Sequence, residues 1–365
     1  MDKNPKRLLH VFFVHSHISY LVSKAIISHK ALEKEDVIFL LDRGISIPDG
    51  DRHETAPHEL THQPSRSLRR ILQNRRKKTV ALDFLNNISE GRPVELYINR
   101  MNQPASFLFS RLPTLRDINI YEEGLAAYAR PLTRLNDIAF LKTDLRTRIA
   151  RMLSGFPGAE TESYYIDTYK EAFGTSERAF PGFPRRVLLD LMPVVAAAKD
   201  SGFSDIAQDA TILALPQLFA FKTNPEMSGA LEDVMVACIE TSASTTYFKL
   251  HPDRYDASAY IDQLAGRVRA RTGVDFRDHL VPDLPLEVIA TRRSDIVIAV
   301  LVSSLAIYAR FFRSRVLSFA KPVYGPDNPK VRTLLTLCPD AIFVEPDDTH
   351  SAIRKRLQGS TTGPT

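Results

Sequence analysis

Three short polar motifs each follow a run whose β-branched, aromatic or aliphatic residues predict a β-strand. The motifs are Glu122-Glu123-Gly124, His251-Pro252 and Ser303-Ser304, and they follow residues 117–121, 244–250 and 294–302. A carboxylate can take a proton from a hydroxyl, a histidine can protonate a leaving group near neutral pH, and serines can bind an anion. Because open α/β sheets bind ligands outside the carboxyl ends of their strands, the set predicts one active site.

Each motif also has a structural explanation. An acidic pair beside a glycine is common in turns, a histidine at a strand end can be a satisfied structural residue, and serine is a preferred helix cap. Successive side chains of a strand point to opposite faces, so only one of Glu122 and Glu123 is expected to point into the site. The shared placement at strand ends favours a functional role for the set.

Three further positions are candidates for binding. Glu287 interrupts the apolar run 286–290, which predicts another strand; its carboxylate can accept hydrogen bonds from the two hydroxyls of a ribose. A solvent-facing residue of an edge strand explains Glu287 equally well. His15 and His17 follow the first predicted strand, which indicates an acceptor-binding loop.

Two metal-type motifs lie in a polar region that is punctuated by prolines. His58-Glu59-Leu60-Thr61-His62 has the zinc-protease spacing, which requires a helix with both histidines on one face, but Pro57 and Pro64 bracket it. Asp49-Gly50-Asp51 has the form that holds a divalent ion on a nucleotide diphosphate sugar, in the same loop. We therefore predict no metal site at either motif.

The hydrophobic pattern predicts two α/β domains. Residues 8–14, 18–28 and 36–41 form a strand, helix and strand, the unit of a parallel sheet. A long loop is predicted at 43–62. Further strands are predicted at 93–98, 117–121, 209–216, 245–250, 286–290, 295–302, 316–319 and 341–344. We place the domain boundary near residue 205, which gives domains 1–205 and 206–357 and a disordered polar tail, 358–365.

Length and composition are those of a soluble protein of about two domains: 365 residues, 44% apolar and 25% charged. Cys238 and Cys338 are predicted to be small core residues, which points to a reducing compartment. No apolar stretch reaches the roughly 20 residues that cross a bilayer, and the run 8–14 is too short for a targeting segment. The predicted location is cytoplasmic.

The net charge of +5 favours anionic partners. Basic residues crowd the segment 65–78, where Leu68, Ile71 and Leu72 would make an amphipathic helix, and a solvated helix is the alternative. Such a helix would suit an anionic polymer or the inner-membrane surface. The scarcity of aromatic residues in this segment argues against binding of single-stranded nucleic acid.

The ordered set of motifs resembles the bacterial sialyltransferases, including the polysialyltransferases of capsule synthesis. The signature of that family is an acidic pair followed by glycine, then His-Pro, then a serine or threonine pair. Here these stand as Glu122-Glu123-Gly124, His251-Pro252 and Ser303-Ser304, in the order of the family. Tyr121 before the acids and Phe248-Lys249-Leu250 before His251 are also similar to the family.

The resemblance implies an α/β fold of the GT-B type, two Rossmann-like domains facing across a cleft. It implies CMP-sialic acid as the donor substrate, with no cofactor and no metal. Glu122 would be the general base, with Glu123 as the alternative, and His251 the general acid or a hydrogen-bond donor to the phosphate. Ser303 and Ser304 would bind the phosphate, with Pro252 beside His251 on the donor side. Glu287 would hold the ribose, by analogy of position.

Attack opposite the leaving group would invert the anomeric centre. The transferred sugar, sialic acid or a related keto-sugar acid, stays open. The acceptor would be an anionic surface glycan, either capsular polysialic acid or a lipooligosaccharide terminus. Peripheral contact with the inner membrane or with capsule assembly proteins would fit the synthesis of such a surface glycan. The alternatives are a GT-B transferase with another nucleotide sugar and a basic nucleic-acid-binding protein, although we predict no nucleic-acid partner.

Overall fold

The computed structural model divides the chain into two compact units, Met1–Leu191 and Met192–Thr365. This division falls earlier than the boundary near residue 205 that the sequence predicts. The structure describes residues 7–42, 45, 47, 50–57, 71–99, 112–128, 169–197, 206–251, 258–281, 286–338, 341–348 and 350–358.

The first unit is built on a seven-stranded parallel sheet in the order β3-β2-β1-β4-β5-β6-β7. The strands are β1 (Leu9–Val14), β2 (Val37–Leu41), β3 (His53–Thr55), β4 (Val94–Ile98), β5 (Leu115–Tyr121), β6 (Ala172–Gly174) and β7 (Arg186–Leu188). The described α-helices are α1 (His17–His29) and α2 (Ile71–Ser89). The order 3-2-1-4-5-6 is that of the Rossmann fold.

Mostly apolar runs explain the central strands of this sheet, with His10 in β1 and Glu95 in β4 as buried exceptions. Every residue of β1, β2 and β4 is buried, as expected where a parallel sheet is covered on both faces. Helix α1 begins at a capping box, in which Ser16 and Ser19 each accept a backbone N–H of the other. The cap starts the helix directly after β1, so that the residue between them, His15, lies at the edge of the sheet.

The second unit is built on a five-stranded parallel sheet in the order β12-β11-β10-β8-β9. The strands are β8 (Thr211–Ala214), β9 (Thr246–Lys249), β10 (Val297–Val300), β11 (Arg315–Ser318) and β12 (Ile342–Phe343). The described helices are α3 (Met192–Ala197), α4 (Phe219–Lys222), α5 (Pro225–Thr241), α6 (Ser258–Thr272), α7 (Leu286–Arg292), α8 (Ala320–Tyr324), α9 (Pro329–Leu337) and α10 (His350–Gln358).

One predicted strand is wrong. Residues 286–290 form the start of helix α7, in which the buried Leu286, Ile289 and Ala290 follow the helical spacing of three to four residues. Glu287 therefore lies in the first turn of a helix and not on an edge strand. The other predicted strands are present, and the predicted loop 43–62 contains the short strand β3.

Three further features of the chain concern its cysteines, the lengths of its apolar helices and its basic segment. Cys238 and Cys338 are both buried and free, as predicted for core residues. No helix in the described part of the chain is long and apolar enough to cross a membrane. Residues 65–70 of the predicted basic helix lie outside the described residues. The rest of that segment begins α2, on which Arg76 is exposed.

Candidate active site

The acidic pair leaves β5 at its carboxyl end. The backbone N–H of Glu122 donates to the carbonyl of Phe173 at 2.8 Å, so the first acid is still held against β6. Gly124 has φ +62°, a left-handed conformation that glycine adopts without strain, and it begins the 3-10 turn Gly124–Tyr128. The glycine thus turns the chain directly after the two acids.

The side chain of Glu122 is fully buried and accepts three hydrogen bonds. Its Oε2 accepts from the backbone N–H of Thr175 at 2.5 Å and from the Thr175 hydroxyl at 2.9 Å. Its Oε1 accepts from the hydroxyl of Tyr128 at 2.9 Å. One oxygen is therefore anchored from the end of β6, whereas the other meets a hydroxyl, the kind of group from which a general base takes its proton.

Glu123 makes a different contact. Its Oε2 touches Nε2 of His15, which is buried directly after β1, and the Glu123 side chain keeps 11% of its surface exposed. The side-chain amide of Asn99, after β4, lies 2.7 Å from Nδ1 of His15 and 3.3 Å from the Tyr121 hydroxyl. An amide that donates to Nδ1 leaves the ring proton on Nε2, the nitrogen that is in contact with the Glu123 carboxylate. The ends of β1, β4 and β5 thus meet at this contact.

The structure brings His15, Glu122 and Glu123 together at one edge of the first sheet. His17 is half-buried and begins α1, two residues beyond His15. Both histidines therefore follow β1, as the sequence predicts. Their role in acceptor binding stays a prediction.

In the second unit, His251 is half-buried two residues after β9. Pro252 lies outside the described residues. Ser303 follows β10, and its hydroxyl accepts from the backbone N–H of Leu305 at 3.2 Å, at the start of the 3-10 turn Ser304–Ala306. Only β8 separates β9 from β10, so their carboxyl ends lie about 10 Å apart on the same edge of this sheet.

Glu287 lies near this edge of the second sheet. Burial raises the pKa of the Glu287 carboxyl, and the charge of Lys249, the last residue of β9, opposes that shift. The interaction with Lys249 places Glu287 near the strand end that leads to His251. A half-buried carboxylate of this kind can accept hydrogen bonds from ligand hydroxyls.

The two metal-type motifs lie mostly outside the described residues. Residues 58–62 and Asp49 lie outside the described residues. Asp51 ties its loop to α1, because its carboxylate accepts from Tyr20 at 2.6 Å and from Lys24 at 3.1 Å. The described residues contain no group of three or more His, Cys, Asp or Glu side chains that could hold a metal ion.

Sequence reasoning missed Thr175, Tyr128 and Asn99. The contact between Thr175 and Glu122 depends on the pairing of β5 with β6, a strand of three residues that the hydrophobic pattern does not reveal. Tyr128 carries no motif either. Only Asn99 gave a usable signal, because it directly follows a strand that the sequence does predict, 93–98.

A model of the alpha-2,8-polysialyltransferase family matches residues 11–317, a range that contains all three motifs. No match was found among curated proteins. The family match thus rests on most of the chain and not on the short motifs alone.

Solved structures show the fold. The UDP-GlcNAc 2-epimerase of Methanocaldococcus jannaschii, in complex with UDP-GlcNAc and UDP, is 11% identical with a TM-score of 0.53; the alignment covers 98% of this chain and 94% of that one. A 2,6-sialyltransferase of Photobacterium sp. JT-ISH-224, in a complex with CMP and lactose, is 12% identical with a TM-score of 0.48. That alignment covers 92% of this chain and 78% of the sialyltransferase. The predicted fold class, α/β of the GT-B type with two Rossmann-like domains, is confirmed.

Proposed function

Because the chain belongs to the alpha-2,8-polysialyltransferase family, we propose that it transfers sialic acid from a CMP-activated donor to the end of a sialic acid chain, through an α-2,8 linkage. The chain is a glycosyltransferase of the sialyltransferase class. The acceptor in this proposal is capsular polysialic acid, an anionic polymer that suits a protein of net charge +5.

The observation that supports the base assignment is the asymmetry of the Glu122 hydrogen bonds. Two donors from Thr175 hold Oε2, whereas Oε1 accepts only the Tyr128 hydroxyl among the contacts described. In the proposed reaction the acceptor hydroxyl takes the place of the Tyr128 hydroxyl on Oε1. Glu122 then receives the proton as the acceptor oxygen attacks the anomeric carbon opposite the CMP group, which inverts that centre.

The second unit provides the groups for the leaving nucleotide. His251 donates a proton or a hydrogen bond to the departing phosphate, and Ser303 and Ser304 bind the phosphate oxygens. Glu287 holds the ribose hydroxyls. Because CMP leaves as a monoester with a single phosphate, these donors suffice without a divalent ion, and we propose that transfer is independent of metal.

We place the enzyme in the cytoplasm, with peripheral contact to the inner membrane or to capsule assembly proteins. The basic segment 65–78, which leads into α2 with its exposed Arg76, supports contact with an anionic surface. The growing polymer is itself anionic, so the same segment would also attract the acceptor.

The test is transfer in the presence of excess EDTA, with CMP-sialic acid, CMP-Kdo and a UDP-sugar as competing donors. An α-2,8-linked sialic acid oligomer and a lactose-terminated lipooligosaccharide serve as the two acceptors. We expect the oligomer to be extended by several residues from CMP-sialic acid alone, with EDTA present. A single addition to the lipooligosaccharide, preference for the UDP-sugar, or complete loss with EDTA would contradict the corresponding part of the proposal.

A further inference from the structure

We propose that Thr175 is a positioning residue of the reaction, which fixes one oxygen of the Glu122 carboxylate so that the other faces the acceptor hydroxyl. The inference rests on the proposed function, because it takes Glu122 as the general base. Thr175 belongs to none of the motifs that the sequence reveals.

The contact is built from two donors of one residue. The backbone N–H and the hydroxyl of Thr175 both donate to Oε2 of Glu122, at 2.5 and 2.9 Å. Thr175 is 2% exposed and Glu122 is fully buried. Hydrogen bonds to an ionised group are stronger than neutral ones, and two donors on one oxygen fix the plane of the carboxylate as well as its position.

The sheet fixes the position of Thr175. Tyr121 of β5 pairs with Phe173 of β6, and Gly174 pairs with Leu188 of β7, so the residue after Gly174 is held between two strands. The backbone N–H of Leu189 donates to the Gly174 carbonyl at 2.8 Å. A donor placed on strand ends moves less than one placed on a loop, which is what a carboxylate needs for precise orientation.

Gly174 leaves no room for a side chain on this side of the carboxylate. A Cβ atom at Gly174 would lie 2.6 Å from Cβ of Ala179 and 3.4 Å from Oε2 of Glu122. The carboxylate therefore lies against bare backbone, and the Gly174-Thr175 pair forms a close-fitting support for it.

The segment after Thr175 is tied to the turn that carries Tyr128. The N–H of Phe180 donates to the carbonyl of Ala127 at 2.6 Å, and Phe180 adopts φ +52°, an uncommon conformation for a bulky residue. Its ring is buried against Phe183, with ring centroids 5.6 Å apart, which offsets the cost of the backbone. The donors to both oxygens of Glu122 thus sit on two segments that are bonded to each other.

The experiment compares Thr175→Val, which keeps the shape but removes the hydroxyl, with Thr175→Ser, which keeps the hydroxyl. For Thr175→Val we expect kcat for sialic acid transfer to fall about 10- to 100-fold, with the KM for the CMP-sugar unchanged. We also expect the acidic limb of the kcat/KM profile to move to higher pH, because removing a donor from a carboxylate favours its protonated form. Thr175→Ser should restore both rate and profile.

A purely structural role for Thr175 would change the melting temperature without moving the acidic limb. If Thr175→Val does not fold, Thr175→Ala, which avoids the packing of a branched apolar side chain, replaces it in the same comparison. Wild-type kcat and an unmoved profile in the folded variant would overturn the inference, as would a Thr175→Ser enzyme as impaired as Thr175→Val. Failure of the wild-type chain to use a CMP-sugar would instead overturn the proposed function.

Discussion

The carboxylate of Glu123 and the imidazole of His15 are in direct contact, although they follow strands β5 and β1, which β4 separates in the sheet. Glu122, one residue earlier, is bound on the side of β6 by Thr175. The alternating direction of side chains at the end of a strand explains this division. The two acids therefore have different partners, and their replacement should have different consequences.

The amide substitutions Glu122→Gln and Glu123→Gln separate the two acids. We expect Glu122→Gln to lower transfer by a factor of about 10² to 10⁴, as the loss of a general base does, while CMP binding stays near wild type. Glu123→Gln should lose less, because an amide can still meet His15. The measurement is kcat for transfer together with calorimetric CMP binding, and Glu54→Gln, exposed on β3, is the control. If Glu122→Gln keeps wild-type turnover and Glu123→Gln loses it, Glu123 is the general base and Glu122 is structural.

Replacement of His251 tests the leaving-group side. We expect His251→Ala to lower kcat by a factor of about 100 or more, because a general acid typically contributes that much. A donor with a better leaving group should be affected less than CMP-sialic acid. His350→Ala, an exposed histidine paired with Glu240 in the same unit, is the control and should retain full activity. Equal activity of the two variants would remove His251 from the mechanism.

The serine pair can be tested through binding alone. If Ser303 and Ser304 bind the phosphate, wild-type protein binds CMP more tightly than cytidine, and the double change to alanine should reduce that difference. Cytidine binding itself should stay unchanged, which controls for folding. Calorimetry measures both ligands. Because Ser303 also accepts the N–H of Leu305, a loss of affinity for both ligands alike would indicate only a structural role.

The raised pKa of the Glu287 carboxyl predicts that CMP binding depends on pH. Its pKa is raised by burial, against the attraction of Lys249, and ribose hydroxyls that donate to the carboxylate would favour its ionised form. CMP should therefore bind more tightly as the pH rises through this pKa, with release of a proton. Calorimetry in buffers of different ionisation enthalpy measures that proton. Glu287→Gln should bind CMP without releasing it, and an unchanged proton count would contradict the assignment.

A buried charged network in the first sheet predicts acid sensitivity of folding. Burial lowers the pKa of His10 below its ordinary 6.5, with Glu95 acting in the opposite direction. Burial also acts to raise the pKa of Glu95, but the hydrogen bond from Asn119 at 2.7 Å and the charge of Lys30 hold it below its ordinary value. Both pKa values are depressed in the folded state, so the unfolded chain binds more protons in acid.

The free energy of unfolding should therefore fall as the pH drops below about 6.5, first through His10 and then through Glu95. Denaturant unfolding of the full chain at pH 7.5 and pH 5.5 measures the change. His10→Gln should make the two values more alike, whereas His53→Gln, on the exposed strand β3, should not. The same pH dependence in all three proteins would show that other groups are responsible.

The strands that could be predicted are those with long apolar runs, such as β1 and β10. The strands β3, β6 and β7 have three residues each, and a run that short gives no periodicity to detect. The error at residues 286–290 has a related cause, because Val288 and Ile289 favour strands by propensity. The segment is helical in spite of that propensity, and five of its seven residues are buried: Leu286, Val288, Ile289, Ala290 and Thr291.

The sequence predicts the candidate residues of the site, because these lie in short local motifs, but it does not predict the residues that contact them. The acid pair, His251 and Ser303 were found because each follows a recognisable strand. The partners of the acids were not, because Thr175 meets Glu122 through the register of β5 and β6, and no pattern within either segment encodes that register. Local sequence therefore identifies the candidate groups, whereas strand pairing determines which residues contact them.

The support of Glu122 by bare backbone also sets a limit for enzyme engineering. Libraries that vary residues around the acidic pair to change acceptor preference will include Gly174 by proximity. Any side chain there brings its Cβ to 2.6 Å from Cβ of Ala179, so a single replacement at Gly174 forces the backbone to shift beside the Glu122 carboxylate. The two positions are therefore best varied as a pair, with glycine at 179 offered whenever 174 carries a side chain.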